Sequence, residues 1–420
     1  MNKKSKLSAL ASTTLMSLVL TTALSTASVK AAAGSVTRTS GADRYATAAQ
    51  VATINWTTSD NVVLVSGEGY ADAVSASALA KKLNAPILLT TAGALNTDTA
   101  SALNILKAKS IYIVGGNASV SQAVREELKK SYSLVELGGA NRYETNAAVA
   151  QKLVDLGVKA DEVMMVGGEG FSDALSVAPI AAAKGQILLL GMNDANYMKS
   201  VLNFVKDHNS KTTVVGTGYV INDTIYSTVN PITRVNGGQD RFDTNLKVLA
   251  AFKDSVKADK LFVANASGNG YADALVASAL AGKSASPLVL VDTETSGATS
   301  NAVNFIKTNI TATSDLQVVG GKGVVSESLV GKINAVVPTT STPNPDTTLP
   351  EATIDYVNTS IPFTTIVRVV LDSPTPEKYT VTVNGVQAEL TKTASGSKVF
   401  LATLSNTYTK DQLKVSVNIK

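Results

Sequence analysis

Gly41-Ala42-Asp43-Arg44-Tyr45-Ala46-Thr47 decides the reading of this chain, because it comes back twice. It returns as Gly139-Ala140-Asn141-Arg142-Tyr143-Glu144-Thr145 and as Gly238-Gln239-Asp240-Arg241-Phe242-Asp243-Thr244, with the arginines 98 and then 99 residues apart. A second signature follows each: Ser66-Gly67-Glu68-Gly69-Tyr70-Ala71-Asp72-Ala73, Gly167-Gly168-Glu169-Gly170-Phe171-Ser172-Asp173-Ala174, and Ser267-Gly268-Asn269-Gly270-Tyr271-Ala272-Asp273-Ala274. A third is Pro86-Ile87-Leu88-Leu89, Gln186-Ile187-Leu188-Leu189 and Pro287-Leu288-Val289-Leu290. A fourth is Ile113-Val114-Gly115-Gly116, Val214-Val215-Gly216-Thr217 and Val318-Val319-Gly320-Gly321. Four signatures in one order, three times over, define a tandem repeat.

Within each repeat the patterning alternates between helix and strand. Ala-rich stretches follow the Arg motif, at Thr47–Ile54, Thr145–Leu156 and Thr244–Phe252. Val62–Val65 is a short, continuously apolar run of the kind buried on both faces of a parallel sheet. A Gly loop, a helix from Asp72 to Leu83, a strand at Ile87–Leu89, a helix over Asp98–Lys107 and a strand at Ile111–Val114 follow. Such alternation predicts an α/β layer fold with parallel sheets and right-handed crossovers. A period near 100 residues is normal domain size, so the expected modules are 34–133, 134–232 and 233–337. A stiff Pro/Thr linker is expected over 338–350. Beyond it the β-branched runs Ile366–Leu371, Tyr379–Val383 and Leu413–Ile419, with a hairpin signal at Val383-Asn384-Gly385-Val386, predict a small all-β, sandwich-like domain over 351–420.

Composition narrows the chemistry. The 420 residues are 45% hydrophobic but only 5% aromatic, so the cores must come from Val, Ile, Leu and Ala. There is no Cys, which removes disulfides, thiolate metal sites and thiol nucleophiles. The single His208 makes a multi-His metal site impossible, and its Lys/Asp-rich surroundings suggest a solvated residue. The first 33 residues read as a secretory signal peptide: Lys3, Lys4 and Lys6, then an apolar Leu7–Leu24 stretch, then small residues before Ala33. Its removal, with Lys30, takes the 37 basic residues down to 33, level with the 33 acidic ones. A chain without net charge is a poor nucleic-acid binder, and no later segment is long and apolar enough to span a membrane.

The motifs offer few catalytic groups. The Gly loops lack the remaining elements of the dinucleotide fingerprint and of the P-loop. Asp72, Asp173 and Asp273 near the following helix starts would satisfy free N–H groups and repel an incoming phosphate. Glu68 and Glu169 meet Asn269 in the third copy, so a carboxylate acid/base role is not shared by all three. Arg44, Arg142 and Arg241 are the shared cations. Either they form structural pairs with Asp72, Asp173 and Asp273 or with the adjacent Asp43, Asn141 and Asp240, or they present spaced anchors to an anionic polymer. A carboxylate recurs with every arginine, which favours the structural pair.

Together these motifs resemble the clostridial cell-wall-binding repeat of type 2 over about residues 37–335. The resemblance implies three Toprim-like or Rossmann-like modules closing into a pseudo-threefold ring within one chain, as in cell-wall and surface-layer proteins. It further implies a secreted protein held non-covalently on a Gram-positive wall through an anionic polysaccharide or teichoic-acid-like polymer, with the grooves between modules as binding places. Copy three departs from the pattern with Leu288-Val289-Leu290, and copy two with Gln186. No cofactor or metal is implied, since no Asp-x-Asp follows the Ile113-Val114-Gly115 strand or its counterparts. Amidase activity, which some members owe to an effector domain, is not expected of a small β-rich tail lacking His and Cys. Two other readings stay open: a wall-associated hydrolase or other carbohydrate-active enzyme, and an adhesin or surface-layer assembly protein acting through the tail, whose partner the sequence does not name.

Overall fold

The computed structural model describes residues 36–268, 270–338, 349–360, 363–393 and 397–420. The expected leader (1–33), most of the expected linker (338–350) and Asn269 lie outside the described residues. Along the chain run β1 (Val36–Thr39), α1 (Arg44–Asn55), β2 (Asn61–Ser66), α2 (Ala71–Leu83), β3 (Ile87–Thr90), α3 (Thr97–Leu106), β4 (Ser110–Val114), α4 (Gln122–Lys129) and β5 (Ser133–Leu137). The second copy supplies α5 (Arg142–Asp155), β6 (Glu162–Gly167), α6 (Phe171–Lys184), β7 (Ile187–Gly191), α7 (Lys199–Asp207), β8 (Lys211–Val215), α8 (Asp223–Thr228) and β9 (Pro231–Val235). The third supplies α9 (Arg241–Ala251), β10 (Lys260–Asn265), α10 (Tyr271–Ser284), β11 (Leu288–Val291), α11 (Gly297–Asn309), β12 (Asp315–Val319) and α12 (Glu327–Val336).

Each copy contributes to a four-stranded parallel sheet, ordered β3-β2-β4-β5, β7-β6-β8-β9 and β11-β10-β12-β1. The apolar runs form the inner strands, and Val62 to Val65 are fully buried. The repeat-based boundaries at 133/134 and 232/233 cut across this arrangement. β5 completes the first sheet and β9 the second. The third sheet takes its last strand from the start of the chain, with Val36 opposite Leu316 and Thr39 opposite Val319. Module one thus touches module three, and the ring closes.

At the centre of the ring α2, α6 and α10 pack against one another. Their sequences carry no clear polar stripe, because one side rests on a sheet and the other on two helices. Small residues permit the approach. The hydroxyls of Ser77 and Ser278 meet at 2.9 Å, and a Cβ on Gly282 would stand 2.5 Å from the Ala182 Cβ. Sequence patterning missed α4, α8 and α12 and the fourth strand of each sheet. Those helices are short, and β5 and β9 are largely half-exposed, so neither carries a continuous apolar run.

The C-terminal unit holds β13 (Ala352–Asn358), β14 (Thr365–Leu371), β15 (Tyr379–Val383), β16 (Val386–Lys392), β17 (Lys398–Leu404) and β18 (Val415–Ile419). They form one antiparallel sheet in the order β13-β14-β17-β16-β15-β18, over a core that includes Val367, Val369, Val381 and Phe400. The sandwich-like expectation is corrected here. Val386–Ala388 of β16 pairs with β15 while Glu389–Lys392 pairs with β17, so a single sheet curls into a half-barrel. The expected hairpin turns at Asn384 and Gly385, both at positive φ (50° and 81°), as a tight two-residue turn requires.

Candidate functional site

In the first sheet the chain leaves β2 for the edge strand β3 and then crosses back to β4. The crevice beyond the carboxyl ends of β2 and β4 is therefore a topological switch point, where α/β folds place ligands. The loops after β2 and β4 meet there, and the loop after β5, which begins the Arg motif of the next copy, forms the far wall. The resulting cleft between modules one and two has a volume of about 570 Å³ and is lined by Glu68, Asp72, Asn117, Ser119, Asn141 and Arg142 among others. The corresponding cleft between modules three and one measures about 210 Å³, with Asp43, Arg44, Thr47 and Asp273 on its walls.

The Arg motif is built from its cap. Asp43, Asn141 and Asp240 each accept from the N–H groups two and three residues on, which starts α1, α5 and α9 at the arginine. Thr47, Thr145 and Thr244 then accept from the N–H of Gly41, Gly139 and Gly238, folding the loop back on the helix. Each arginine reaches the end of the central strand of its own module. Arg44 donates to the Gly67 carbonyl at 2.5 Å, Arg142 to Gly168 at 2.5 Å and Arg241 to Ala266 at 2.7 Å. Arg142 also donates to the Tyr70 hydroxyl and lies 5.2 Å from that ring's centroid, while Arg241 lies 4.3 Å from the Phe171 centroid. Tyr70 belongs to module one and Phe171 to module two, so both contacts cross a module boundary. Among the described residues no ion pair within 4.0 Å involves Arg142 or Arg241. The expected pairs of these two arginines with Asp173 and Asp273 of their own copy, or with Asn141 and Asp240, are not formed, because those neighbours are occupied as caps or turned into the next junction.

Asp72, Asp173 and Asp273 stand in the first turns of α2, α6 and α10, as expected, but their carboxylates do not cap the helices. They turn into the crevice, against Gly115, Gly216 and Gly320. A Cβ on those glycines would sit 2.7, 2.9 and 2.8 Å from a carboxylate oxygen, and φ there is +129°, +121° and +126°. This explains the glycine of the fourth signature. Burial raises all three carboxyls. The raise is opposed by the Ser119 hydroxyl and the Arg142 charge at Asp72, and by the Thr244 hydroxyl at Asp173. Asp273 is pushed up to about 6 by burial, against the Thr47 hydroxyl and the Arg44 charge. In each case the charged or hydroxyl partner named from another copy comes from the next module around the ring.

Two features escaped sequence reasoning. Tyr70, Phe171 and Tyr271 converge at the ring's centre, with centroids 5.7, 6.4 and 4.5 Å apart. The signal was available, because an aromatic follows the Gly loop in every copy. The second is a length difference. Ala266 occupies the place of Gly67 and Gly168, since all three donate to the adjacent edge strand, so the third loop is two residues longer up to its aspartate, Asp273, than the first and second are to Asp72 and Asp173. His208 caps α7, is half-buried and lies 4.3 Å from the Phe204 ring, which corrects the solvated reading. Among the described residues no group of three or more His, Cys, Asp or Glu is placed to hold a metal.

The chain matches the family described as Cell wall binding domain 2 (CWB2) over residues 38–125, 136–226 and 235–330. It is 32% identical over 263 residues to the N-acetylmuramoyl-L-alanine amidase LytC of Bacillus subtilis (strain 168), covering 62% of this chain and 51% of the relative. It is 30% identical over 258 residues to the Amidase enhancer of the same organism, covering 60% and 34%. The chain thus spans about half and a third of those relatives' lengths. Among solved structures, Cwp6 from Clostridium difficile superposes with a TM-score of 0.65 at 24% identity, over 73% of this chain and 48% of that one. Cwp8 from Clostridium difficile does so with a TM-score of 0.62 at 27% identity, over 72% and 51%.

Proposed function

The chain belongs to the cell wall binding domain 2 family, and from that premise we propose that it is a secreted, non-enzymatic protein. Its three-module ring holds it on a Gram-positive wall by binding an anionic secondary polymer, and the C-terminal half-barrel is the part displayed. The observation that carries this reading is the threefold family match falling on one closed ring, with a strand-end cleft at two of its module junctions. The clefts suit sugar hydroxyls: hydroxyl, amide and backbone groups line them, and Glu68 and Asp72 outnumber Arg142 in the first. Against hydrolysis stands the engagement of the carboxylates by the fold. Each crevice aspartate is engaged by a hydroxyl of the fold (Ser119, Thr244 or Thr47), and the Glu68 and Glu169 position becomes Asn269 in copy three. The test is sedimentation of the chain with protein-stripped Gram-positive walls. We expect it in the pellet, and in the supernatant once hydrofluoric acid has removed phosphodiester-linked polymer. Failure to pellet with untreated walls would overturn the reading.

A further inference from the structure

The three central helices end alike. α2, α6 and α10 each stop on a left-handed residue, Asn84, Gly185 and Ala285, and each carries lysine in its last turn: Lys82, Lys184 and Lys283. At two of the three junctions an aromatic ring of the next module closes the space beside that lysine. The Lys283 Nζ lies 3.7 Å from the Trp56 centroid, and the Lys184 Nζ lies 5.7 Å from the Phe252 centroid. Both rings belong to the residue that caps the first helix of its copy, α1 or α9. In the second copy that capping residue, after α5, is Leu156, followed by Gly157. Without a ring there, a cleft of about 500 Å³ stays open between modules one and two, at the opposite end of the sheets from the arginines.

Its walls hold Lys81, Lys82, Lys159 and Lys184 against Asp161 and Glu162. Lys81 donates to the Lys283 carbonyl at 2.5 Å. Among the described residues the ion pairs include none of Lys82, Lys159 and Lys184, and all three are exposed. Lysines in a last turn answer the negative end of the helix dipole. Lys159 lies in a loop and has no such duty.

We propose that this cleft is an anion subsite that takes a phosphodiester or carboxylate group carried on a polymer chain. The proposal rests on the wall-binding reading and adds to it where the polymer's charge is met. The strand-end clefts supply little free positive charge, since Arg142 and Arg241 are committed to carbonyls and rings. The Lys82 and Lys159 ammonium groups, joined by Lys184 between the cleft and the Phe252 ring, supply it without ion pairs of their own, as compact point charges that suit a phosphate oxygen. The 13-residue α2 separates the two kinds of cleft by about 20 Å, within reach of a chain of several sugar units.

The test is amine-reactive labelling of the full chain, read by peptide mass spectrometry, with and without a glycerol-phosphate oligomer. We expect labelling of Lys82, Lys159 and Lys184 to fall several-fold with the oligomer while the exposed Lys130 and Lys378 are unchanged. Equal labelling of the three with and without oligomer overturns the subsite. Leu156→Trp should plug the cleft as Trp56 does elsewhere and abolish the protection, and protection that persists in this variant also overturns it. In wall sedimentation, a Lys82→Gln/Lys159→Gln/Lys184→Gln protein that melts like the parent should lose retention several-fold. Undiminished retention overturns the subsite and leaves wall binding standing. A parent chain that stays in the supernatant overturns wall binding, and the labelling comparison then decides the subsite alone.

Discussion

At the scale of single residues, the crevice aspartates carry a pH signature. Asp273 is 8% exposed and its carboxyl is pushed up to about 6 from an ordinary 3.8. The folded state therefore binds its proton more tightly than the unfolded chain between those values. Stability from this group is fully present below pH 4 and is lost as pH rises through about 6. A shift of this size corresponds to about 3 kcal/mol. We expect thermal melting to be higher at pH 5 than at pH 8, and Asp273→Asn to flatten that difference by removing the charge while still accepting from Thr47. A melting curve rising steadily toward pH 8 in the parent would refute the burial argument. Arg142 makes a separate forecast. Arg142→Ala removes a charged donor from the Gly168 carbonyl and from the Tyr70 hydroxyl, together about 3 kcal/mol or more. Its melting should fall markedly, and wild-type melting with impaired wall retention would make it a ligand residue instead.

At the scale of elements, what was legible in the sequence is what repeats with a dense apolar or capping signal. The inner strands and the Ala-rich helices carry such signals, and they form where expected, whereas the capping expected of Asp72, Asp173 and Asp273 is done by Asp43, Asn141 and Asp240 at the preceding helices. The arginines were found, but their partners were not. A carbonyl and a neighbouring module's ring leave no trace in residue spacing, whereas a nearby Asp invites pairing. The edge strands show the same limit. Asn146 and Asn245 each use both ends of the amide on an edge strand: Asn245 donates to the Leu288 carbonyl and accepts from Leu290 N–H, both at 3.0 Å. They stand in for the missing next strand. Ala48 holds that place in the first copy, so the role was hidden by non-repetition. We expect Asn245→Ala to cost about 2–4 kcal/mol, from two buried backbone groups left unpaired, and to speed amide exchange at Leu290 before other sites. Unchanged exchange at Leu290 would show that the amide is dispensable.

At the scale of the whole ring, the third sheet depends on the first residues described. β1 pairs along β12, and Arg38 donates to the Gly320 carbonyl at 2.7 Å. A strand lost from this position opens the edge of β12, a row of unpaired backbone groups next to a core helix. The loss also removes the covalent and hydrogen-bonded link that brings module one against module three, so the damage should appear at both. Loop-closure arguments point the same way. Modules one and three are joined through about 100 intervening residues of module two, and closure costs grow only slowly with that length. The ring can therefore close as one cooperative unit once α2, α6 and α10 have met. We expect the three modules to melt in a single transition, and deletion of residues 36–39 to lower it and to split off an early phase. That phase should be seen as selective proteolysis near β12 and the loop at Gly320. Three separate transitions in the parent chain, or an unaltered single one after the deletion, would show that the modules are independent and that ring closure is incidental to their stability.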